Sequence, residues 1–374
     1  MIIKTKEFKE VCSTILLGID NTDISTLTET LELWAKDKTL FLNVTNGEYY
    51  ISVKFPLDCE EDLHASVNAN LFLKLISAVS TEDVELIKKD SYLQIKANGT
   101  YKIPFIYDGD EMLKLPEITI ENPTTTLKVS GEILNSILTY NSKELQRGTI
   151  SKPVQKMYYV DERGCLTFTS GACVNYFELE KPIKLLFNSR LVKLFKLFKG
   201  EMTDFTLGYD SIDDELVQTK VRFETPNITL TAITGCTDDL LNSVPVSAIR
   251  GRAEKDYPYN IVLNTQELKD AVNRLLLFSA GYGSIKNLKP YSKFEFKGNK
   301  VVIYDSNKEN TEELTFKNDY TFTEEYSFAV DLTDLKLVID TISDDYFTLS
   351  FGDHQALIVK RGSISNVIPE CRVK

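Results

Sequence analysis

The sequence predicts an α+β protein made of three tandem repeats, each with two helices beneath antiparallel sheets. Two observations lead to this prediction. A strand–turn–strand pattern recurs at 40–55, at 165–179 and, in weaker form, at 300–317. An amphipathic helix pattern precedes each of these hairpins and a strand-then-helix pattern follows it, so each copy spans roughly 125 residues, a third of the chain.

The three hairpins correspond most clearly at their turns. The turn TNG at 45–47 matches TSG at 169–171, while the third copy has Ser-Asn at 306–307 in place of the glycine step. In each copy apolar and polar residues alternate on both sides of the turn, which is the pattern of a β-hairpin. The break inside 165–179 is therefore predicted to be a hairpin turn.

Two helix patterns flank each hairpin. The leading helices are predicted within 6–18, 127–138 and 261–272, and the trailing strand-and-helix pairs within 64–79, 183–198 and 326–342. The trailing helices follow a capping residue, since a side-chain oxygen there can accept a hydrogen bond from a free N–H of the first turn. These predicted caps are Asn68, Asn188 and Asp331.

Proline and polar residues cluster in two stretches between the repeats, at 116–126 and 245–260. Such clusters interrupt helices and strands, so we place the seams there. The predicted domains are 1–122, 123–250 and 251–374.

Composition excludes several classes of protein. The chain has 374 residues, is 43% hydrophobic, and contains no apolar run of the length, about 18 residues, that spans a bilayer. Its N-terminus lacks the apolar core of a signal peptide, so we predict a cytoplasmic protein with no membrane partner. The six cysteines form no C-x-x-C pair, which favours reduced structural thiols over disulfides or a zinc site.

The sequence contains no recognisable catalytic motif, and we predict no catalytic residues, no metal and no cofactor. The two histidines, His64 and His354, lie in unrelated contexts, and no phosphate-binding G-x-x-x-x-G-K-[ST] motif is present. Acidic pairs such as Glu82-Asp83 are typical of turns. A nuclease would need carboxylates that converge from several strands, and an enzyme acting on nucleic acid stays open as an alternative.

Two local stretches, together with the three repeats, resemble the bacterial-type DNA sliding clamp, the processivity subunit of the replicative polymerase. Residues 71–118 are similar to the end of that family's first domain, and "NVIPECRV" at 366–373 is similar to its C-terminal tail. The resemblance implies three tandem repeats of the DNA-clamp fold and a head-to-tail homodimer that closes into a six-domain ring. Twelve helices, each about 10 Å wide, would line a hole of about 28 Å.

The resemblance also implies partners: double-stranded DNA held by topology without base readout, a replicative DNA polymerase and a clamp loader. The stretch 189–199 carries a basic residue at every third position and no acid, as phosphate-facing helices require. The alternative is that these residues are simply the solvated face of an amphipathic helix. The predicted DNA-facing residues are Lys74, Arg147, Lys152, Arg190, Lys193, Lys196, Lys199, Lys286, Lys289 and Lys336. The formal charge of -12 argues against a coat of nucleic acid but is compatible with such a local basic surface.

The resemblance further implies an apolar pocket in which polymerases and clamp loaders dock short extended peptides. By position its residues would be Thr169, Gly171, Ala172, Cys173, Val174, Asp238, Leu240, Leu241, Ser243, Ile368, Pro369 and Glu370, with Ala356, Leu357 and Arg372 as weaker candidates. The family has Asp-Gly-His-Arg-Leu after the threonine, whereas this chain has Ser-Gly-Ala-Cys-Val. Loss of the His-Arg pair predicts a different set of partners, as in a diverged, for example virus-encoded, clamp. Alternatively, Cys173 and Val174 are sheet core.

The ring interface is predicted from exposed apolar positions. An edge strand at 99–107 would expose Tyr101, Ile103 and Phe105, and the helix after 265 would offer Leu277 and Phe278. An unpaired apolar edge favours aggregation unless a partner covers it. Our preferred function is a non-catalytic sliding clamp, and the alternative is a clamp-fold scaffold that does not encircle DNA.

Overall fold

The computed structural model describes residues 1–20, 25–58, 62–147, 151–212, 216–281, 291–305 and 308–371. Helices alternate with strands along these residues, and every strand pair is antiparallel. The structure thus confirms the α+β class predicted from the sequence. In this part of the chain every helix is too short or too polar to cross a membrane.

The first repeat follows the predicted plan. Its elements are β1 (Ile2–Lys4), α1 (Thr5–Leu16), β2 (Thr30–Lys36), β3 (Thr39–Thr45), β4 (Tyr49–Pro56), β5 (Leu63–Asn68), α2 (Ala69–Ala78), β6 (Asp83–Lys88), β7 (Tyr92–Lys96), β8 (Thr100–Pro104), β9 (Tyr107–Asp108) and β10 (Glu111–Met112). Asn68 caps α2 as predicted, because its side-chain oxygen accepts a 2.9 Å hydrogen bond from the Leu71 N–H.

The second repeat ends in two short helices that were not predicted. Its elements are β11 (Pro123–Ser130), α3 (Gly131–Ser136), α4 (Ser142–Glu144), β12 (Met157–Asp161), β13 (Gly164–Phe168), β14 (Ala172–Tyr176), β15 (Lys184–Asn188), α5 (Ser189–Lys193), β16 (Met202–Ile212), β17 (Leu216–Glu224), β18 (Ile228–Ile233), α6 (Asp238–Asn242) and α7 (Val246–Glu254). A π-turn, Ile137–Asn141, joins α3 to α4, and a 3₁₀ turn, Leu194–Leu197, extends α5. Helix α7 occupies the stretch 245–260 that we expected to be a seam.

The third repeat again shows the predicted hairpin and helices. Its elements are β19 (Tyr259–Asn264), α8 (Thr265–Gly281), β20 (Tyr291–Gly298), β21 (Lys300–Tyr304), β22 (Thr311–Thr315), β23 (Phe322–Asp331), α9 (Leu332–Ile339), β24 (Tyr346–Phe351), β25 (Ala356–Arg361) and β26 (Ile364–Pro369). Asp331 caps α9, because its carboxylate accepts a 2.9 Å hydrogen bond from the Thr333 N–H. The predicted turn at 306–307 lies outside the described residues.

Strands of neighbouring repeats join into shared sheets. One eight-stranded sheet has the order β11-β16-β17-β18-β4-β3-β2-β5, and another has the order β15-β12-β13-β14-β26-β25-β24-β19. The junctions are equivalent, since the second strand of a repeat's hairpin pairs with the last strand of the next repeat: β4 with β18, and β14 with β26. One strand pairing in each of these sheets thus joins two repeats into a continuous sheet.

The chain forms two compact units, each centred on one of these junctions. The first unit comprises Met1–Asn135 and Arg190–Thr237, and the second comprises Ser136–Ser189 and Asp238–Lys374. Because the sheets cross from one repeat to the next, the second repeat is divided between the units. The domain boundaries drawn from the sequence stay a prediction.

Each unit has its own core. In the first, α1 packs on α2 and on β4, and the Phe8 and Phe72 rings meet edge to face. In the second, α8 packs on α9 over an aromatic cluster in which the Phe296 and Phe351 ring centroids are 4.5 Å apart. Burial of these large rings supplies the hydrophobic stabilisation expected of an α+β core.

Candidate partner-binding site

The TSG turn at 169–171 borders a surface cavity of ≈ 250 Å³ in the second unit. The β13–β14 hairpin forms one wall, the end of β26 forms the floor, and α7 forms the opposite wall. The lining residues are Phe168, Thr169, Ser170, Gly171, Ala172, Pro245, Ala248, Ile249, Arg252, Val367 and Pro369. The size and apolar lining suit a small apolar side chain of a docked peptide.

Part of the predicted pocket lies at this cavity and part does not. Thr169, Gly171, Ala172 and Pro369 line it. Five other predicted residues are buried in the sheet and are not among the residues that line the cavity, so their place in the pocket stays a prediction. These are Cys173, Val174 and Ile368, together with the weaker candidates Ala356 and Leu357.

The remaining candidates also lie away from the cavity lining. Asp238, Leu240 and Leu241 belong to α6, which packs near β15, and Ser243 follows that helix. The Glu370 carboxyl is enclosed rather than presented to the cavity, and burial together with the nearby carboxylate of Asp353 raises its pKa to about 7. Arg372 lies outside the described residues.

Helix α7 supplies the wall that the sequence prediction missed. Prolines at 245 and 258 suggested a seam, but Val246, Ile249, Arg250 and Ala253 follow the i, i+3, i+4, i+7 spacing of a helix face. This helical pattern was hard to recognise in the sequence because one position of the buried face is an arginine. Arg250 is buried and donates two 2.7 Å hydrogen bonds to the two carboxylate oxygens of Asp161 on β12.

This paired contact anchors α7 to the sheet. Burial acts to raise the pKa of the Asp161 carboxyl, but the hydrogen bonds from Arg250 outweigh it, so the pKa lies below its usual value. The carboxylate is therefore ionised at neutral pH and the ion pair is complete. This ion pair fixes the position of α7 and therefore of that wall of the cavity.

Beneath the hairpin lies a buried ionic cluster. The Arg147 side chain has no exposed surface, pairs with the Glu144 carboxylate at 2.5 Å, and lies 3.6 Å from Asp334 on α9. The other Glu144 oxygen accepts a 2.7 Å hydrogen bond from the Thr169 hydroxyl, in the wall of the cavity. The cluster thus ties the helix layer directly to the TSG turn.

Arg147 is consequently not a DNA-facing residue, and that prediction is wrong. A guanidinium without solvent exposure cannot contact a phosphate, and its charge is balanced by Glu144 and Asp334. Burial raises the pKa of the Glu144 carboxyl, while the Arg147 guanidinium and the Thr169 hydroxyl act in the opposite direction. The sequence showed only a basic residue after a helix and gave no sign of its distant acidic partner.

Close packing around the TSG turn explains its glycine. A Cβ atom on Gly171 would lie 2.3 Å from the Val367 carbonyl oxygen and 2.8 Å from Nη2 of Arg147. At the equivalent Gly47 no atom of the described residues lies within 4 Å of such a Cβ, but the φ of Gly47 is +85°. The two turns therefore need glycine for different reasons: close packing at 171 and a left-handed backbone at 47.

The π-turn between α3 and α4 places a second polar group under the hairpin. Asn141, at its end, is fully buried, and its amide donates to the Cys165 and Cys173 carbonyls at 3.4 and 3.3 Å. The main-chain carbonyl of Asn141 accepts a 3.1 Å hydrogen bond from the Thr167 hydroxyl. Both strands of the hairpin are thereby fixed to the helix layer.

Most of the other predicted DNA-facing residues are at the surface. Lys74, Lys152, Lys193, Lys196 and Lys199 are exposed. From 190 to 199 every third residue is exposed and the two between are buried, which matches the three residues per turn of the 3₁₀ segment after α5. This regular exposure is the structural basis of the lysine spacing seen in the sequence.

The four remaining predicted residues either pair with an acid or lie outside the described part of the chain. Arg190 is exposed but lies 3.1 Å from Glu48. Lys336 is half-buried and pairs with Asp340 at 3.0 Å. Lys286 and Lys289 lie outside the described residues.

The predicted interface residues differ in exposure. Tyr101, Leu277 and Phe278 are exposed, Leu277 by 71%. Ile103 and Phe105 are buried, so the expectation that they are exposed is wrong. Ile103 pairs with Leu93 of β7 on the core face of its sheet, so β8 presents only Thr100, Tyr101, Lys102 and Pro104 to solvent.

Comparison with solved structures defines the fold as that of bacterial DNA sliding clamps. Matches span 100% of this chain and 99% of each relative: the Bacillus subtilis DNA polymerase sliding clamp (15% identity, TM-score 0.76), the DNA polymerase beta subunit of Streptococcus pyogenes (15%, 0.79) and the DNA polymerase III beta subunit of Thermotoga maritima (13%, 0.76). The resemblance inferred from the sequence is thereby confirmed at the level of the fold.

Sequence similarity is weaker than structural similarity. The beta sliding clamp of Helicobacter pylori is 26% identical over 118 residues, a match that spans 31% of this chain and 30% of that clamp. No model of a known protein family matches the sequence.

Removal of the buried Arg147 charge should strongly destabilise the second unit. Arg147→Met leaves the Glu144 carboxylate buried without its partner, which typically costs about 3–5 kcal/mol. The matched control is Arg163→Met, since Arg163 pairs with Glu254 at 2.7 Å at an exposed site worth less than about 1 kcal/mol. Urea unfolding of both variants measures the difference, and equal losses would contradict the structural role of Arg147.

Alanine at the two turn glycines should act differently. In Gly171→Ala the new methyl group meets both the Val367 carbonyl oxygen and the Arg147 guanidinium, which should cost about 2–3 kcal/mol. The part due to Arg147 should couple to Arg147→Met by at least about 0.5 kcal/mol in a double-mutant cycle. Gly47→Ala should cost about 1 kcal/mol of stability, because alanine disfavours the left-handed backbone at that position. Its cost should be additive with that of Arg147→Met. Additivity in both cycles would refute the contact with Arg147, and a Gly171→Ala cost no larger than that of Gly47→Ala would refute the close-packing explanation.

Proposed function

We propose that this chain is a DNA sliding clamp: a non-catalytic ring that encircles duplex DNA and tethers a replicative polymerase after loading by a clamp loader. The observation that carries the proposal is the full-length match to sliding clamps from several bacteria, with a cavity at the TSG hairpin. In the described residues no group of three or more potential metal ligands converges. We further infer that the chain acts in the cytoplasm, without catalysis of its own.

The proposed DNA-facing surface contains a line of exposed lysines, Lys193 at the end of α5 and Lys196 and Lys199 after it, which we call the lysine line. Lys74, Lys152 and Lys336 on other helices and turns complete the surface. Non-specific attraction to phosphates requires cations without fixed partners, a condition that suits Lys193, Lys196 and Lys199 better than Arg190, which pairs with Glu48. The net charge of -12 would repel DNA elsewhere on the surface.

The proposed partner pocket is the cavity between the TSG hairpin and α7. Its small lining residues, Ala172 and Ala248, leave room for an apolar side chain. Arg252 of α7 brings a cation to the same cavity, where the hairpin itself has no basic residue. We therefore propose that polymerase and loader peptides for this pocket combine an apolar anchor with a carboxylate.

The proposed ring is a head-to-tail homodimer that uses different surfaces on its two sides. Tyr101 and the outer edge of β8 would contribute one side, and Leu277 and Phe278 of α8 the other. Such a heterologous contact must close after two copies to avoid open polymers. A clamp-fold scaffold without DNA is the competing function, and a strictly monomeric solution mass would favour it.

Charge reversal on the lysine line should weaken DNA retention. In Lys193→Glu/Lys196→Glu, two phosphate contacts become repulsive, so the loaded protein should leave nicked circular DNA at least about tenfold faster at low salt. Gel filtration of protein loaded by the cognate clamp loader onto labelled circles measures this retention.

The control carries the same charge change on strand surfaces, as Lys88→Glu/Lys128→Glu, both of which are exposed. It should retain DNA normally, and both variants should keep the mass of the wild-type assembly. If retention by Lys193→Glu/Lys196→Glu were unchanged, the assignment of the DNA-facing surface would be wrong.

A further inference from the structure

The first unit contains a second, larger cleft at the junction equivalent to that of the candidate pocket. Its volume is ≈ 540 Å³, against ≈ 250 Å³ for the cavity beside the TSG turn. It lies over the pairing of β4 with β18, as the smaller cavity lies beside the pairing of β14 with β26. The connector between repeats forms a wall in both cases: the segment 117–120 here and α7 there.

The floor of this cleft is the sheet face that points away from α1. On β3, Leu40 and Leu42 are fully buried beneath the helix side, whereas Phe41 between them lies in the cleft. Trp34 of β2 stands directly opposite Phe41 and is 50% exposed. A half-exposed tryptophan beside a partly buried phenylalanine, on a sheet face that is otherwise mostly polar, is typical of a binding surface, where tryptophan is often the main anchor.

Charge in the cleft favours an acidic occupant. Three cations line it, Lys36, Lys54 and Arg222, against two carboxylates, Glu117 and Glu224, although the chain as a whole carries -12. Two of these cations share one acid: the Glu224 carboxylate lies 3.9 Å from the Lys54 ammonium and 3.5 Å from Nε of Arg222. Within the described residues, Arg222 Nε is buried and makes no hydrogen bond.

The connector wall offers free main-chain groups. Residues 114–121 belong to no helix or strand, and none of their N–H groups donates a hydrogen bond to another described residue. The Thr119 carbonyl accepts a 2.8 Å hydrogen bond from Lys220, which fixes the wall in place. An unpaired backbone that is held in place can pair with an added peptide strand.

We propose that this cleft is a second peptide-docking site, which takes an extended acidic segment whose aromatic or aliphatic side chain packs on Trp34. The segment's main chain pairs with the wall at 117–120, and its carboxylates meet Lys54 and Arg222. The site is independent of the proposed clamp function, because it needs neither DNA nor ring closure.

Fluorescence gives a direct test, because Trp34 is the only tryptophan in the chain. The probe is the hexapeptide Glu-Asp-Phe-Asp-Leu-Glu, acetylated and amidated at its ends and titrated into the full-length protein. We expect a saturable change in tryptophan emission. The same peptide with Gln and Asn in place of its acids should bind at least about tenfold more weakly, since it lacks charge-assisted hydrogen bonds.

Variants locate the binding. The double variant Lys54→Gln/Arg222→Gln should bind the acidic peptide at least about tenfold more weakly. The control Lys128→Gln, at an exposed position of β11 outside the cleft, should bind it with unchanged affinity. If the double variant fails to fold, Lys36→Glu makes the same test at an exposed residue of the cleft. Unchanged affinity in the folded cleft variant would overturn the proposal.

Two further outcomes would also overturn it. One is the absence of saturation up to about 5 mM peptide, a concentration that would detect even millimolar affinity. The other is tighter binding of an eight-nucleotide oligothymidylate that displaces the peptide, because aromatic and basic residues together also suit single-stranded nucleic acid. DNA retention and processivity would be unaffected by either result, so the clamp proposal is tested separately.

Discussion

The buried cluster of Arg147, Glu144 and Asp334 is the interaction on which the candidate site depends. Removing three charged groups from water is costly, and the cost is offset only because each charge has a partner at short range. Through Thr169 the cluster fixes the TSG turn, and through Asp334 it reaches α9 of the next repeat. The wall of a surface cavity is thus determined by ion pairs on the opposite side of the sheet.

The same architecture produces two clefts because the repeats are joined by sheet pairing. At each junction a hairpin strand meets the last strand of the following repeat, and a connector crosses the sheet face beside them. Differences arise from the connectors. A helix anchored by Arg250 and Asp161 borders the smaller cleft, while a segment without helix or strand borders the larger, aromatic one.

Local patterns in the sequence were sufficient for the repeats, the hairpins and the caps Asn68 and Asp331, because these depend on residues close together in the chain. Partners distant in sequence were not predictable. The burial of Arg147 depends on Asp334 from another repeat, and α7 was missed because its buried face contains Arg250, whose partner is on β12. Alternation alone likewise misplaced Ile103 and Phe105, since it gives the period of a strand but not which face is covered.

Processive synthesis on a closed template tests the central claim most directly. With the cognate polymerase and clamp loader, addition of this protein to a singly primed circle should lengthen the products made in one binding event. On a linear template with free ends the gain should largely disappear, because a topologically held ring slides off. Equal product lengths with and without the protein on the circle would contradict the account, as would an equal gain on both templates.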